Sequence, residues 1–135
     1  MNTETNKLLA SARKAARNTY SPYSKFPVGA ALMTSGGKVF TGCNVENASY
    51  GLTLCAERVA VTSAVAAGYR KFKSLAVVGG RGKAARPCGA CLQVLAEFCG
   101  PDFLIYLAPL DKPSKVETVS LGALLPHVFR LNPES

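Results

Sequence analysis

Cys55-Ala56-Glu57-Arg58 is answered further along the chain by Pro87-Cys88-Gly89-Ala90-Cys91. Cys88 follows Cys55 by 33 residues (88 − 55). Three thiols with one nearby carboxylate point to a metal held by three protein ligands, beside an acid/base group. Catalytic zinc takes three protein ligands and keeps its fourth position open. The Cys-x-x-Cys spacing is common in zinc sites. A structural zinc, or three small buried hydrophobic residues, would use the same cysteines. Glu57 speaks against both, because neither needs a carboxylate.

Outward from that pair, helices and strands alternate. Residues from about Thr5 to Asn18 place Leu8, Leu9, Ala12, Ala15 and Ala16 at helical spacing. Ser21-Pro22-Tyr23-Ser24 interrupts the pattern. Val28 to Thr34 and Lys38 to Asn44 read as a hairpin turned at Ser35-Gly36-Gly37. A helix is expected from about Leu54 to Ala67, capped by Thr53 and ended by Gly68. Phe72 to Val78 reads as a strand covered on both faces, since Leu75-Ala76-Val77-Val78 is continuously apolar. Pro87 is expected at the first position of the next helix. Phe103 to Leu107 and Val116 to Val119 complete five strands, and Ser120 caps a short helix to Leu125. This order predicts an α/β sandwich around a mixed sheet.

Cys88 and Cys91 share a face at one helix start, and Cys55 begins another helix. Helix starts favour thiolates, so two converging starts would hold three sulfurs at one point. Glu57 is two residues from Cys55, ~200° around an ideal helix, so spacing alone does not put the two on one face. Asn44 and Glu46 alternate in an extended stretch and turn to the same side. Asn47 reads as local turn chemistry, and Cys43 and Cys99 as small buried residues.

The composition excludes several classes. A chain of 135 residues, 48% apolar, fits one domain over residues 1–135. Five cysteines cannot all pair internally, which favours reduced thiols or metal ligation. The polar start Met1-Asn2-Thr3-Glu4 lacks a secretory pattern, and no apolar run reaches the ~18 residues of a membrane span. A cytoplasmic protein without membrane or nucleic-acid partners is expected. Net charge is +8, but the basic residues are scattered rather than interleaved with aromatics.

Together with Tyr20-Ser21-Pro22-Tyr23-Ser24-Lys25-Phe26-Pro27-Val28-Gly29-Ala30-Ala31-Leu32 and Gly42-Cys43-Asn44-Val45-Glu46-Asn47-Ala48, the cysteine motifs resemble cytidine deaminases of the small homotetrameric zinc-dependent type. The resemblance implies a three-layer α/β/α sandwich with a mixed five-stranded sheet. It implies one Zn²⁺ per subunit on Cys55, Cys88 and Cys91, with Glu57 as proton shuttle. It implies hydrolysis of cytidine and 2′-deoxycytidine to uridine and 2′-deoxyuridine plus ammonia, in pyrimidine salvage. Phe26 would pack on the pyrimidine, the Ala56 N–H would meet the base carbonyl, and Asn44 and Glu46 would hold the ribose 3′-hydroxyl. Tyr50 and Phe129 would close the pocket from an adjoining subunit. A guanidinium at Arg58 donating to a ligand sulfur would offset the charge of three thiolates. Leu92 and His127 depart from the pattern; at Leu92 altered helix-surface or subunit contacts are expected. Competing readings are deamination of a cytosine-nucleoside antibiotic of the blasticidin S type, a polynucleotide cytidine deaminase, and a non-catalytic zinc module.

Overall fold

Burial orders the strands of the computed structural model, which describes residues 2–131. Met1 and residues 132–135 of the expected 1–135 domain lie outside the described residues. The elements in chain order are α1 (Thr3–Ala15), β1 (Val28–Thr34), β2 (Val39–Cys43), α2 (Ala56–Ala66), β3 (Phe72–Gly79), α3 (Gly89–Phe98), β4 (Leu104–Ala108), β5 (Glu117–Ser120) and α4 (Leu121–Leu124). The strands form one sheet in the order β2-β1-β3-β4-β5. β3, with its continuous apolar run, takes the centre, as a strand covered on both faces requires. β1 is antiparallel to both β2 and β3, β3 and β4 are parallel, and β5 is antiparallel to β4.

Alternation along the strands divides the core in two. Ala31, Met33, Ala76, Val78 and Ala108 face α1, where they meet Leu8, Leu9 and Ala12. Ala30, Leu32, Leu75, Val77, Ile105 and Leu107 face the other way, against residues of α2, α3 and α4 such as Ala60, Leu95 and Leu121. The result is the expected three-layer sandwich with a mixed five-stranded sheet. Leu92 belongs to this second core at 6% exposure, so the expectation of surface or subunit contacts there is corrected: it packs inward.

Two glycines set the layer spacing. A Cβ on Gly29 would collide with the Ala12 carbonyl oxygen of α1. A Cβ on Gly42 would collide with the Ala56 carbonyl oxygen and lie 2.6 Å from the Ala60 nitrogen of α2. Each helix backbone therefore rests directly on a strand backbone.

Three helix boundaries differ from the sequence reading, for local reasons. Asn2 caps α1 by accepting from the Thr5 N–H at 2.8 Å, so that helix starts earlier, and its last turn tightens into a 3₁₀ turn over Ala16–Asn18. The N-cap of α2 is Cys55, not Thr53. The N-cap of α3 is Cys88, so Pro87 stands before the cap rather than inside the helix.

Candidate active site

The topology brings two helix starts to one edge of the sheet. β2 and β3 both run antiparallel to the β1 strand between them, so they are parallel to each other. The chain leaves each at the same edge and enters a helix packed on the same face. Open α/β sheets bind ligands beyond the carboxyl ends of such strands. Cys55 and Cys88 are the caps of these helices, both extended, at φ −75°, ψ 153° and φ −73°, ψ 167°. Neither makes a side-chain capping bond, which leaves the sulfurs free for another partner. Cys91 sits in the first turn of α3.

The three Sγ atoms lie within 4.8 Å of one another, with Cys55 to Cys88 at 3.8 Å and Cys88 to Cys91 at 3.5 Å. Tetrahedral zinc with sulfur ligands at ~2.3 Å separates neighbouring sulfurs by roughly 3.8 Å. The donor set and spacing fit one zinc ion. Cys91 is buried, Cys55 half-buried and Cys88 exposed, so the cluster opens to one side.

Thiol chemistry in the cluster is uneven. The Cys55 thiol is held down at about 5, first by the facing Cys91 thiol and, after burial has opposed it, by Arg58. The same Cys55–Cys91 interaction, with burial, drives the Cys91 thiol upward. Arg58 Nη2 donates to the Thr53 carbonyl at 3.1 Å and to Cys55 Sγ at 3.6 Å. This is the sulfur contact expected of Arg58 from the sequence.

Glu57 is 4% exposed, and burial pushes its carboxyl up to about 7. The ~200° separation from Cys55 causes no conflict, because Cys55 precedes the helix and Glu57 occupies its first turn. A carboxyl with a value near neutrality is suited to taking up and giving back a proton.

A cleft of about 350 Å³ joins this cluster to the remaining sequence-predicted residues. Phe26, Asn44, Glu46 and Ala56 line it together with Cys55, Glu57 and Cys88. Single backbone bridges hold Val45 to Tyr20 and to Leu54, which keeps the stretch after β2 extended. Val45 is 41% exposed while Asn44 and Glu46 are each 8% exposed, so the alternation read in the sequence holds. Ala56 is the first residue of α2, where a backbone N–H has no helical acceptor.

Asn44 is oriented by backbone groups. Its Oδ1 accepts from the Val28 N–H at 3.0 Å and from the Thr19 hydroxyl, and its Nδ2 donates to the Phe26 carbonyl at 2.9 Å. Glu46 Oε1 accepts from the N–H groups of Tyr23 and Ser24, both at 3.0 Å, and Oε2 from the Ser24 hydroxyl. The Ser24 hydroxyl and then its N–H hold the Glu46 carboxyl below its ordinary 4.5. Asn47 is local, accepting from the Ser49 N–H at 2.9 Å.

The two residues expected to act from an adjoining subunit lie outside the cleft of their own chain. Tyr50 is 75% exposed in an adjacent groove, its ring edge-on to Tyr23 with centroids 5.9 Å apart. Phe129 is 68% exposed, and its carbonyl accepts from Gln93 Nε2 at 2.9 Å. It does not line the cleft. Cys99 is buried, as expected, whereas Cys43 is only half-buried. Ser24, Thr19 and Arg86 were missed by sequence reasoning. Ser24 and Arg86 line the cleft, and Thr19 fixes Asn44. Their partners lie far off in sequence, and only the quoted Tyr20–Leu32 stretch hinted at Ser24.

The layered sheet and its open three-sulfur centre define a zinc-binding α/β protein with a carboxylate beside the metal position. The chain belongs to the cytidine and deoxycytidylate deaminase family: the model of the family's zinc-binding region matches residues 2–107. A cytidine deaminase from Sporosarcina psychrophila is 48% identical over 123 residues, covering 91% of this chain and 89% of the relative. The crystal structure of cytidine deaminase from Burkholderia pseudomallei aligns with a TM-score of 0.87 at 49% identity, over 96% of this chain and 100% of that one. That of Mycobacterium tuberculosis cytidine deaminase gives a TM-score of 0.81 at 45% identity, over 96% and 100%.

Proposed function

We propose that the chain hydrolyses cytidine and 2′-deoxycytidine to uridine and 2′-deoxyuridine with release of ammonia. The observation that carries this reading is the hydrogen-bonding capacity left over in the cleft. Asn44 Oδ1 already accepts two hydrogen bonds and Nδ2 has used one of its two hydrogens. Three donors occupy the Glu46 carboxylate, which has about four acceptor positions. One donor and one acceptor remain, on two residues that line the same cleft. A single sugar hydroxyl matches both, donating to Glu46 and accepting from Asn44. Because one hydroxyl suffices, ribose and deoxyribose are both substrates.

At the other end of the cleft, Cys55, Cys88 and Cys91 would hold the zinc. When bound, zinc lowers the pKa of water to ~7 and so supplies a nucleophile at neutral pH. Glu57 takes a proton from water and delivers it to N3 of the base, then takes the proton of the new hydroxyl at C4 and delivers it to the departing amino group. The Ala56 N–H donates to the base carbonyl. Phe26 packs against the ring. Arg58 draws charge from Cys55 and keeps the centre electrophilic.

The same capacity argues against the rivals. A polynucleotide carries a 3′-phosphodiester, which lacks the hydrogen Glu46 needs and sets an anion against a carboxylate. An antibiotic nucleoside whose sugar lacks the matching hydroxyl leaves both groups unpaired. A non-catalytic zinc module leaves a buried carboxyl at Glu57 without a use.

A single 1–135 domain, assembled as a homotetramer in the cytoplasm and serving pyrimidine salvage, completes the proposal. Exposed Tyr20, Tyr23, Tyr50, Leu52 and Leu54 give the apolar area such an assembly needs. Tyr50 and Phe129 then act across subunit boundaries. No helix among the described residues is long and apolar enough to cross a membrane.

The test is a cytidine absorbance assay with zinc analysis on wild type and Glu57→Gln. Wild-type turnover with one zinc per chain, and zinc retained but turnover lost in the variant, is the expected result. Activity on single strands with little on free cytidine would overturn the reading.

A further inference from the structure

We propose that Ser24 is a positioning residue that sets the hydroxyl specificity of the cleft, because its one hydroxyl group fixes both Glu46 and Phe26. The inference rests on the reading of Asn44 and Glu46 as the sugar site. Ser24 Oγ donates to Glu46 Oε2 and accepts from the Phe26 N–H at 3.1 Å. A hydroxyl has one hydrogen, so the bond received from Phe26 directs that hydrogen at the carboxylate. Hydrogen bonds to an ionised acceptor are the strong class. Ser24 also donates its N–H to Oε1, so both carboxylate oxygens are tied to one residue.

The backbone conformation has the same cause. Lys25, between Ser24 and Phe26, has φ 54°, which is unfavourable for a residue with a side chain. Residues 22–26 are exposed, so no core contact enforces that turn. What holds it is the Lys25 N–H bond to the Ser21 carbonyl at 3.0 Å and the bonds running through Ser24. The turn returns Ser24 Oγ to the Phe26 N–H and presents the Phe26 ring to the cleft. Without the hydroxyl, Glu46 Oε2 loses its donor and the carboxylate rotates. The acceptor left for the sugar then points away from the place where Asn44 offers its hydrogen. Catalysis at Glu57 and the sulfurs is untouched, so the loss falls on recognition.

The experiment compares 2′-deoxycytidine with 2′,3′-dideoxycytidine, which differ only in the 3′-hydroxyl. Wild type is expected to favour the former in kcat/KM by roughly 10–100-fold, the range for a hydrogen bond to a charged group. Ser24→Val should cut that preference about tenfold, through KM for 2′-deoxycytidine rather than kcat, with zinc content and circular dichroism unchanged. Ser24→Thr, the same size but with a hydroxyl, should keep it. Should Ser24→Val misfold, Ser24→Ala makes the same comparison. A variant that slows both substrates equally, or leaves the preference intact, overturns the role of Ser24 while the cytidine reading stands. A wild type that treats the two substrates alike overturns the sugar reading and the role of Ser24 together. A wild type inactive on both of these nucleosides and on cytidine overturns the proposed function itself.

Discussion

The starts of α2 and α3 do the same job by different means. Each presents a cysteine cap at the same sheet edge, yet the first residues of α2 are held by packing, whereas those of α3 are open and the loop ahead of them is held by polar ties. At α2, the backbone at Ala56 and Ala60 rests on Gly42 with no room for a side chain, and Ala56, Glu57 and Ala60 are buried. At α3, Cys88, Gly89 and Ala90 are exposed, and an added Cβ on Gly89 would meet nothing within 4 Å. Its approach loop is pinned instead to the β4–β5 connection and to the first residue of β5. Asp111 accepts from the Gly82 N–H at 2.8 Å, Lys115 donates to the Gly82 carbonyl at 2.7 Å, and Arg86 pairs with Glu117. The difference follows the chemistry. The α2 start carries a buried carboxyl, Glu57, which on the proposed function transfers protons and depends on being dry, whereas the α3 start supplies sulfur alone.

If that contrast is right, damage at α2 should far exceed damage at α3. The largest effect is expected at Glu57. Glu57→Gln should lower kcat by roughly 10²–10⁴-fold, whereas Ala90→Gln, at the equivalent distance from Cys88, should leave it within about twofold. Steady-state rates on both variants measure this. Arg58→Gln should come next, with turnover down about 10–100-fold and zinc still bound by elemental analysis. An unchanged rate would remove Arg58 from the centre.

Glycine substitutions then separate packing from tethering. Gly42→Ala should cost about 1–3 kcal/mol and lower the thermal midpoint by several degrees, because the obstacles are the Ala56 and Ala60 backbones. Gly89→Ala should leave the midpoint nearly unchanged. Calorimetry on the two variants decides it. At the loop, Glu117→Gln breaks a half-exposed ion pair and should change kcat/KM by less than about fivefold. A greater loss would show the tether to be more than a support.

The smallest effect is pH dependence at Glu46. The fold favours its ionised form, so its folded pKa lies below the ordinary 4.5. Its contribution to stability is therefore complete above 4.5 and is lost as pH falls through the lower folded value. The difference in thermal midpoint between wild type and Glu46→Gln should stay constant down to that range and close below it.

Much of this was legible in the sequence because the signals were local. Cys-x-x-Cys, the continuous run Leu75-Ala76-Val77-Val78 and the alternation at Asn44 and Glu46 each state their own geometry. Thr53 and Pro87 misled because cap preferences assume that the best hydrogen-bonding residue takes the cap. Here the caps go to Cys55 and Cys88, whose extended backbone leaves their sulfurs free for each other and for a metal. The couplings of Ser24 to Glu46, 22 residues apart, and of Thr19 to Asn44, 25 apart, follow no period and emerge only when the chain is folded. Leu92 was misjudged as surface because its face of α3 is fixed by Leu95 and Ala96 beside it, in contact with the sheet.

The sulfur cluster has a mechanical side as well. Cys55 and Cys88 lie 33 positions apart and their sulfurs are 3.8 Å apart. A cation gripping both therefore closes a ring through α2, β3 and the loop ahead of α3. For a covalent bridge, closing a ring of that length restrains the unfolded chain by ~4 kcal/mol. The centre is thus a removable cross-link, and stripping it with a chelator should loosen the starts of α2 and α3 from each other before it disturbs the α1 side of the sheet.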